Sequence, residues 1–146
     1  MVVPVYNVEN YLRHCLDSIL NQDYQDFEIV IVNDGSTDSS ADICRQYQEK
    51  NPEKIVLINQ NNQGLLMARR VGFAHTQGEI IVSVDSDDAL RADALKILDK
   101  TFHESQAQIV CYESTRDITF KNPVKIADCL LVRKFLREKI KKDYMN

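Results

Sequence analysis

The stretch that decides the fold is "FEIVIVNDGSTDSS", residues 27–40. Phe27 to Val32 is short, apolar and β-branched, the composition of a buried strand. "NDGSTDSS" then changes chemistry. Asn, Asp and Gly tolerate turn backbone, and Ser or Thr caps a helix, here Ser36 or Thr37. "ADICRQYQEK" follows at 41–50 and carries helical spacing to Pro52. Strand, polar turn and helix in that order make the unit from which parallel sheets are assembled.

The same unit recurs on both sides. "MVVPVY" opens the chain as a strand, and "NVENYLRHCLDSILNQ" places Val8, Leu12, Cys15, Leu16, Ile19 and Leu20 at helical spacing, with Asn7 as cap. "KIVLIN" is a third strand, "GLLMARRVGFAHT" a helix ending before Gly78, and "EIIVSV" a fourth strand running into Asp85. "RADALKILDKTFHES" predicts a further helix, "AQIVCYE" a further strand, and "IADCLLVRKFLREKIKK" a last helix with Ala127, Leu130, Leu131, Phe135 and Ile140 on its apolar face. Repeated β-α order with right-handed crossovers predicts an α/β fold of three layers, α/β/α, around a mostly parallel sheet. Ligands of such sheets bind at the carboxyl ends of the strands. Four polar clusters fall there: "YN", "NDGSTD", "NQNNQG" and "DSDD".

Composition narrows the function. The chain has 146 residues, about one domain, with 44% hydrophobic residues and a net charge of −4. That balance argues against general nucleic-acid binding. "RKFLREKIKK", residues 133–142, carries six Lys/Arg against one Glu, a local +5 that leaves −9 for the rest. A solvated helix face is one reading of it, and contact with an anionic membrane surface another. No apolar run approaches the roughly 20 residues of a membrane span. Cys15, Cys44, Cys111 and Cys129 form no CxxC pair and sit among apolar neighbours, as buried free thiols of a reducing compartment do. His14, His75 and His103 are scattered and make poor metal candidates.

The candidate chemistry lies on the ligand edge. In "VDSDD" the carboxylates of Asp85, Asp87 and Asp88 repel one another unless water or a cation separates them. In extended chain, Asp85 and Asp87 share a face. Two hard oxygen donors so placed suit Mg²⁺ or Mn²⁺, while Asp88 is free to cap the next helix. Asp34 is the first carboxylate beyond the second strand. It serves either the turn or a ligand's imide or ribose groups. Arg69 and Arg70 are adjacent on a helix, about 100° apart, so both cannot face one ligand equally; either one meets phosphate or base while the other is solvated, or both are solvated. Neither GxGxxG nor a Walker loop occurs, so phosphate held here needs a metal or an arginine.

Taken together, "PVYN", "NDGSTD", "GLLMARR" and "DSDD" resemble family 2 glycosyltransferases of the GT-A fold over residues 1–112. The resemblance implies transfer of a hexosyl group, with inversion, from a nucleotide-diphosphate donor such as a UDP-sugar, using Mn²⁺ or Mg²⁺. It implies that Pro4, Val5 and Tyr6 line the nucleotide pocket and that Asp34 contacts the base. Arg69 matches the arginine of the family's "ARN", and Arg70 replaces its asparagine. Asp85 then faces ribose and metal, and Asp87 the metal and diphosphate. The resemblance further implies that the acceptor is a sugar or lipid-linked hydroxyl, in bacterial-type surface polysaccharide or glycolipid synthesis at the cytoplasmic side of a membrane. The family's general base has no match; Glu113 is nearest by position. Residues 1–112 therefore read as the donor domain, and 113–146 as the start of an acceptor-side region cut short. Two alternatives stand beside this: a module that holds donor without transferring it, and an unrelated nucleotidyltransferase.

Overall fold

The computed structural model describes residues 1–105 and 131–133. Its elements run β1 (Val2–Val5), α1 (Glu9–Leu20), β2 (Ile29–Asp34), α2 (Ser40–Lys50), β3 (Ile55–Gln60), α3 (Leu65–His75), β4 (Ile80–Val82), α4 (Ala94–Ser105) and β5 (Leu131–Arg133). β2 pairs in parallel with β1 and with β3. β4 continues the sheet on the far side of β1 through a parallel bridge between Val2 and Ser83, where the Val84 amide donates to the Val2 carbonyl at 2.9 Å. β5 pairs antiparallel with β4. The spatial order is thus β3, β2, β1, β4, β5, with four parallel strands.

Side-chain alternation along the strands makes two cores. Val3, Val5, Ile29, Ile31, Val82 and Val84 face α1, α2 and α4. Val2, Val30, Val32 and Ile81 face α3, against Ala68 and Phe73. The three expected layers are there. β1, β2 and most of β4 are buried, whereas Val56 of β3 is exposed, as suits an edge strand.

Two residues shape the middle of this sheet. Gly72 of α3 lies on Val2, where a Cβ would run into Val2 Cγ1, so only glycine lets the helix approach β1 this closely. Pro4 has no N–H to donate. Residues two apart on a strand face the same neighbour, so Pro4, like Val2, faces β4. β1 and β4 stop pairing there, and the gap between their ends opens.

Three local expectations are corrected. Leu131–Arg133, expected inside a helix, is a strand, because the open edge of β4 offers hydrogen bonds to an apolar, β-compatible segment. The rest of that expected helix, the expected strand at "AQIVCYE", Glu113, Cys111 and Cys129 lie outside the described residues. Asn7 does not cap α1, and neither Ser36 nor Thr37 caps α2; no side chain of the residue that begins either helix caps it. The capping is done across loops, as described below.

Replacing Gly72 with alanine overpacks the α3–β1 contact and should cost about 1–3 kcal/mol. Urea unfolding measures it.

Candidate functional site

The carboxyl ends of β1, β2 and β4, with the start of α3, surround a cleft of about 480 Å³. Pro4, Val5, Tyr6, Asp34, Asp85 and Asp87 line it, and so do Gly64, Leu65 and Ala68 from the α3 side. A second hollow of about 330 Å³ lies at the opposite edge, among Met1, Glu28, Ile80 and Asp99. The first is the candidate site, since open parallel sheets take ligands at their carboxyl edge.

Asp34 ends β2 and is 2% exposed. Its Oδ1 accepts from Gln60 Nε2 at 2.7 Å and from the Gln63 amide at 2.9 Å, and its Oδ2 accepts from the Gly64 amide at 2.8 Å. A buried carboxylate is tolerated when donors surround it. These donors also fold the loop after β3 against the end of β2. Gly35, at φ 71°, permits the close approach: a Cβ there would sit 2.7 Å from the Asn62 amide nitrogen.

The acidic stretch is a turn, not the extended chain expected. The Asp88 amide donates to the Asp85 carbonyl at 3.0 Å, which closes residues 85–88 into a β-turn. Asp85 and Asp87 still line one cleft, but by way of the turn. Asp88 does not cap α4, which begins six residues later at Ala94. Partial desolvation pushes the Asp88 carboxyl up, and the charges of Asp87 and Asp85 push the same way. Arg69 Nη2 donates to Asp85 Oδ1 at 2.5 Å, so one arginine of the pair reaches the carboxylates. Arg69 Nε is buried and has no partner among the described residues. Arg70 instead donates from Nη1 to Met67 Sδ at 3.3 Å. Arg69 does not itself line the cleft wall; it reaches the cleft through Asp85.

Beside the cleft, the segments after β1 and β2 clasp one another. Asn7, at φ 51°, accepts at Oδ1 from the Thr37 amide at 2.8 Å. The Asn7 amide donates to Ser36 Oγ, the Val8 amide to Ser40 Oγ, and the Glu9 amide to Asp38 Oδ2. Glu9 answers by accepting from the Ser39 amide at 2.8 Å. Asp38 also accepts from the Ser40 amide, so one carboxylate serves the positive N-termini of α1 and α2 together. Partial burial pushes the Asp38 carboxyl up, but hydrogen bonds from Ser40 and Glu9 outweigh it and hold it below its usual range. The clasp fixes the backbone that follows Tyr6, which stands 48% exposed at the cleft.

Comparison with known proteins assigns the family. Residues 1–144 match the model of "Glycosyl transferase family 2". The chain belongs to glycosyl transferase family 2. It is 50% identical over 109 residues to "Glycosyltransferase GlyA" of Streptococcus pneumoniae serotype 4, a match that covers 75% of this chain and 16% of that protein. S. aureus TarS 1–349 in complex with UDP-GlcNAc superimposes with a TM-score of 0.68 and 31% identity, over 74% of this chain and 32% of the TarS 1–349 chain. The mannosyltransferase PcManGT from Pyrobaculum calidifontis, in complex with GDP-Man and Mn2+, shares the GT-A fold with a TM-score of 0.78 at 24% identity, over 95% of this chain and 45% of its own. This chain therefore spans less than half the length of each.

Within this family 2 chain, a residue that motif reading passes over supports the segment after the acidic turn from behind. Gln22 is 2% exposed. Its Nε2 donates to the Arg91 carbonyl at 2.6 Å and to the Ser18 carbonyl at 3.0 Å, and its Oε1 accepts from the Leu95 amide at 3.0 Å. Ser18 Oγ accepts from the Leu90 amide, and Cys15 Sγ donates to the Asp85 carbonyl at 3.5 Å. α1 thus holds the segment 85–95 from its inner side. The only signal in the sequence is a glutamine at the end of an apolar helix face. Cys15 and Cys44 are buried free thiols, each pushed up to about 12 mainly by burial.

Gln22→Leu leaves the Arg91 carbonyl and Leu95 amide without their partner. It should lower stability by about 1–3 kcal/mol in urea unfolding, well beyond the effect of a surface Gln→Leu change.

Proposed function

We propose that this chain is the donor-binding part of a metal-dependent, inverting hexosyltransferase whose donor is a UDP-sugar. One observation carries the reading: a buried carboxylate and an acidic turn stand at two ends of one cleft, two strands apart. Asp34 ends β2 and Asp85 follows β4, with β1 between them. At one strand spacing per step the separation is roughly 10 Å, suited to a nucleoside with its base at one end and its diphosphate at the other. The 31% identity to TarS, whose structure holds UDP-GlcNAc, supports a UDP-sugar donor.

The roles follow from what each group offers. Tyr6 presents an exposed ring beside the base. Asp34 accepts a base N–H. Arg69, held by Asp85, keeps a positive charge at the phosphate end. Pro4 and Val5 form the cleft floor. Asp87 and Asp85 hold Mn²⁺ or Mg²⁺. Among the described residues no three His, Cys, Asp or Glu side chains gather into a metal cage. Two carboxylates suit a hard cation that completes its shell with water and substrate phosphate. When bound, the cation stabilises the charge that develops on the departing diphosphate. The acceptor, a sugar or lipid-linked hydroxyl, needs a general base for inversion. We assign no residue as that base and place it outside this chain, with the acceptor side beginning at residue 113. The setting we propose is surface polysaccharide or glycolipid synthesis at the cytoplasmic face of a membrane, with the basic run 133–142 as peripheral contact. No helix among the described residues is long and apolar enough to cross a membrane.

Because the chain spans only part of its relatives, a second reading is a module that holds donor but transfers nothing by itself. Sugar transfer or donor hydrolysis by this chain excludes that second reading.

UDP should raise the melting temperature only when Mn²⁺ or Mg²⁺ is present. The gain is about 2.7 kcal/mol at a hundredfold excess over Kd. Asp87→Ala should remove the metal-dependent part. Equal stabilisation with and without metal would overturn the metal role.

A further inference from the structure

We infer that Asp34 limits the donor's base to one that offers a single N–H on its pairing edge, and that Gln60 sets this limit. The inference rests on the donor-site reading and adds to it a mechanism of base selection.

A carboxylate accepts about four hydrogen bonds, two at each oxygen. In Asp34, Oδ1 is filled by Gln60 Nε2 and the Gln63 amide, and Oδ2 is half filled by the Gly64 amide. Among the described residues this leaves one acceptor position, on Oδ2. The carboxylate is 2% exposed yet lines the cleft, so whatever meets it there is shielded from water.

Bases differ in what they bring to that position. Uracil offers one imide N–H between two carbonyls, and hypoxanthine likewise offers one N–H beside a carbonyl. Guanine offers two adjacent donors, the ring N–H and the 2-amino group, and a carboxylate takes that pair with both oxygens. Here one oxygen is already full. One guanine donor is then buried without a partner, which is costlier than a contact never offered. Two of the three competing donors are backbone amides of the loop after β3, fixed by the fold. Gln60 Nε2 is the one side-chain donor, so position 60 decides whether Oδ1 is open.

Competition binding in the presence of Mn²⁺ tests this, with UDP, inosine diphosphate and GDP as probes. Inosine and guanosine diphosphates have the same purine bulk and differ by the 2-amino group alone, so their ratio isolates the donor count from size. The expected result is that GDP binds about fivefold or more weakly than inosine diphosphate. In Gln60→Ala that ratio should fall toward one, chiefly through tighter GDP binding. GDP binding as tightly as inosine diphosphate to the unmodified chain overturns the inference whatever the variant does. A ratio unchanged in a folded Gln60→Ala chain overturns the role of Gln60. Failure of all three nucleotides to bind with Mn²⁺ overturns the donor-site reading itself, a result distinct from either.

Discussion

The short strand β1 is the constraint on which the site depends. Its four residues are buried and pair on one side with β2. On the other side the Val2 carbonyl takes the Val84 amide and so brings β4 alongside. That junction is tight enough that α3 must present Gly72 to it. Pro4 then ends the pairing by withholding an N–H. Within four residues the chain both joins the two halves of the sheet and opens the space between their carboxyl ends. Asp34 and Asp85 stand across that space because β1 is one strand wide.

The carboxylates around the cleft fall into two groups. Asp34 and Asp38 are held largely from within: amides and side chains of neighbouring loops take most of their acceptor positions, one on Asp34 Oδ2 staying open, and the two carboxylates hold those loops in place. Asp85, Asp87 and Asp88 crowd into one turn, and Arg69 serves only Asp85 among them. Burial first, and then the charges of Asp87 and Asp85, push the Asp88 carboxyl up. Carboxylates that the fold satisfies are supports, while a surplus kept at the mouth of a cleft is an invitation to a cation. Like charges were the puzzle of "DSDD" in the sequence, and the turn keeps it in place, since it brings the backbones of Asp85 and Asp88 nearer than an extended strand would.

Much of this was legible beforehand, and for identifiable reasons. α1 to α4 and β1 to β4 follow from hydrophobic period and from turn residues between them, which are local signals. The gathering of the four motifs on one edge follows from β-α order, because parallel strands have their carboxyl ends together. What escaped was non-local. Leu131, Val132 and Arg133 fit a helical face as well as a strand, and only the free edge of β4 decides between them. Asn7 is a good cap by residue type, yet its side chain is engaged by Thr37, thirty residues on. Gln22 looked like the polar end of a helix and is a buried link to Arg91 and Leu95. Nor does the sequence alone reveal that Asp34 is already bonded three times.

The central claim is that one nucleotide lies along this cleft with its base at Asp34 and its diphosphate at the acidic turn. The most direct measurement is a crystal structure with UDP and Mn²⁺, using the anomalous signal of manganese to locate the ion. The account predicts a manganese peak bonded to the Asp87 carboxylate and to diphosphate oxygens, with the uracil N–H on Asp34 Oδ2. A manganese peak away from the 85–88 turn, or a uracil that leaves Asp34 uncontacted, would contradict it.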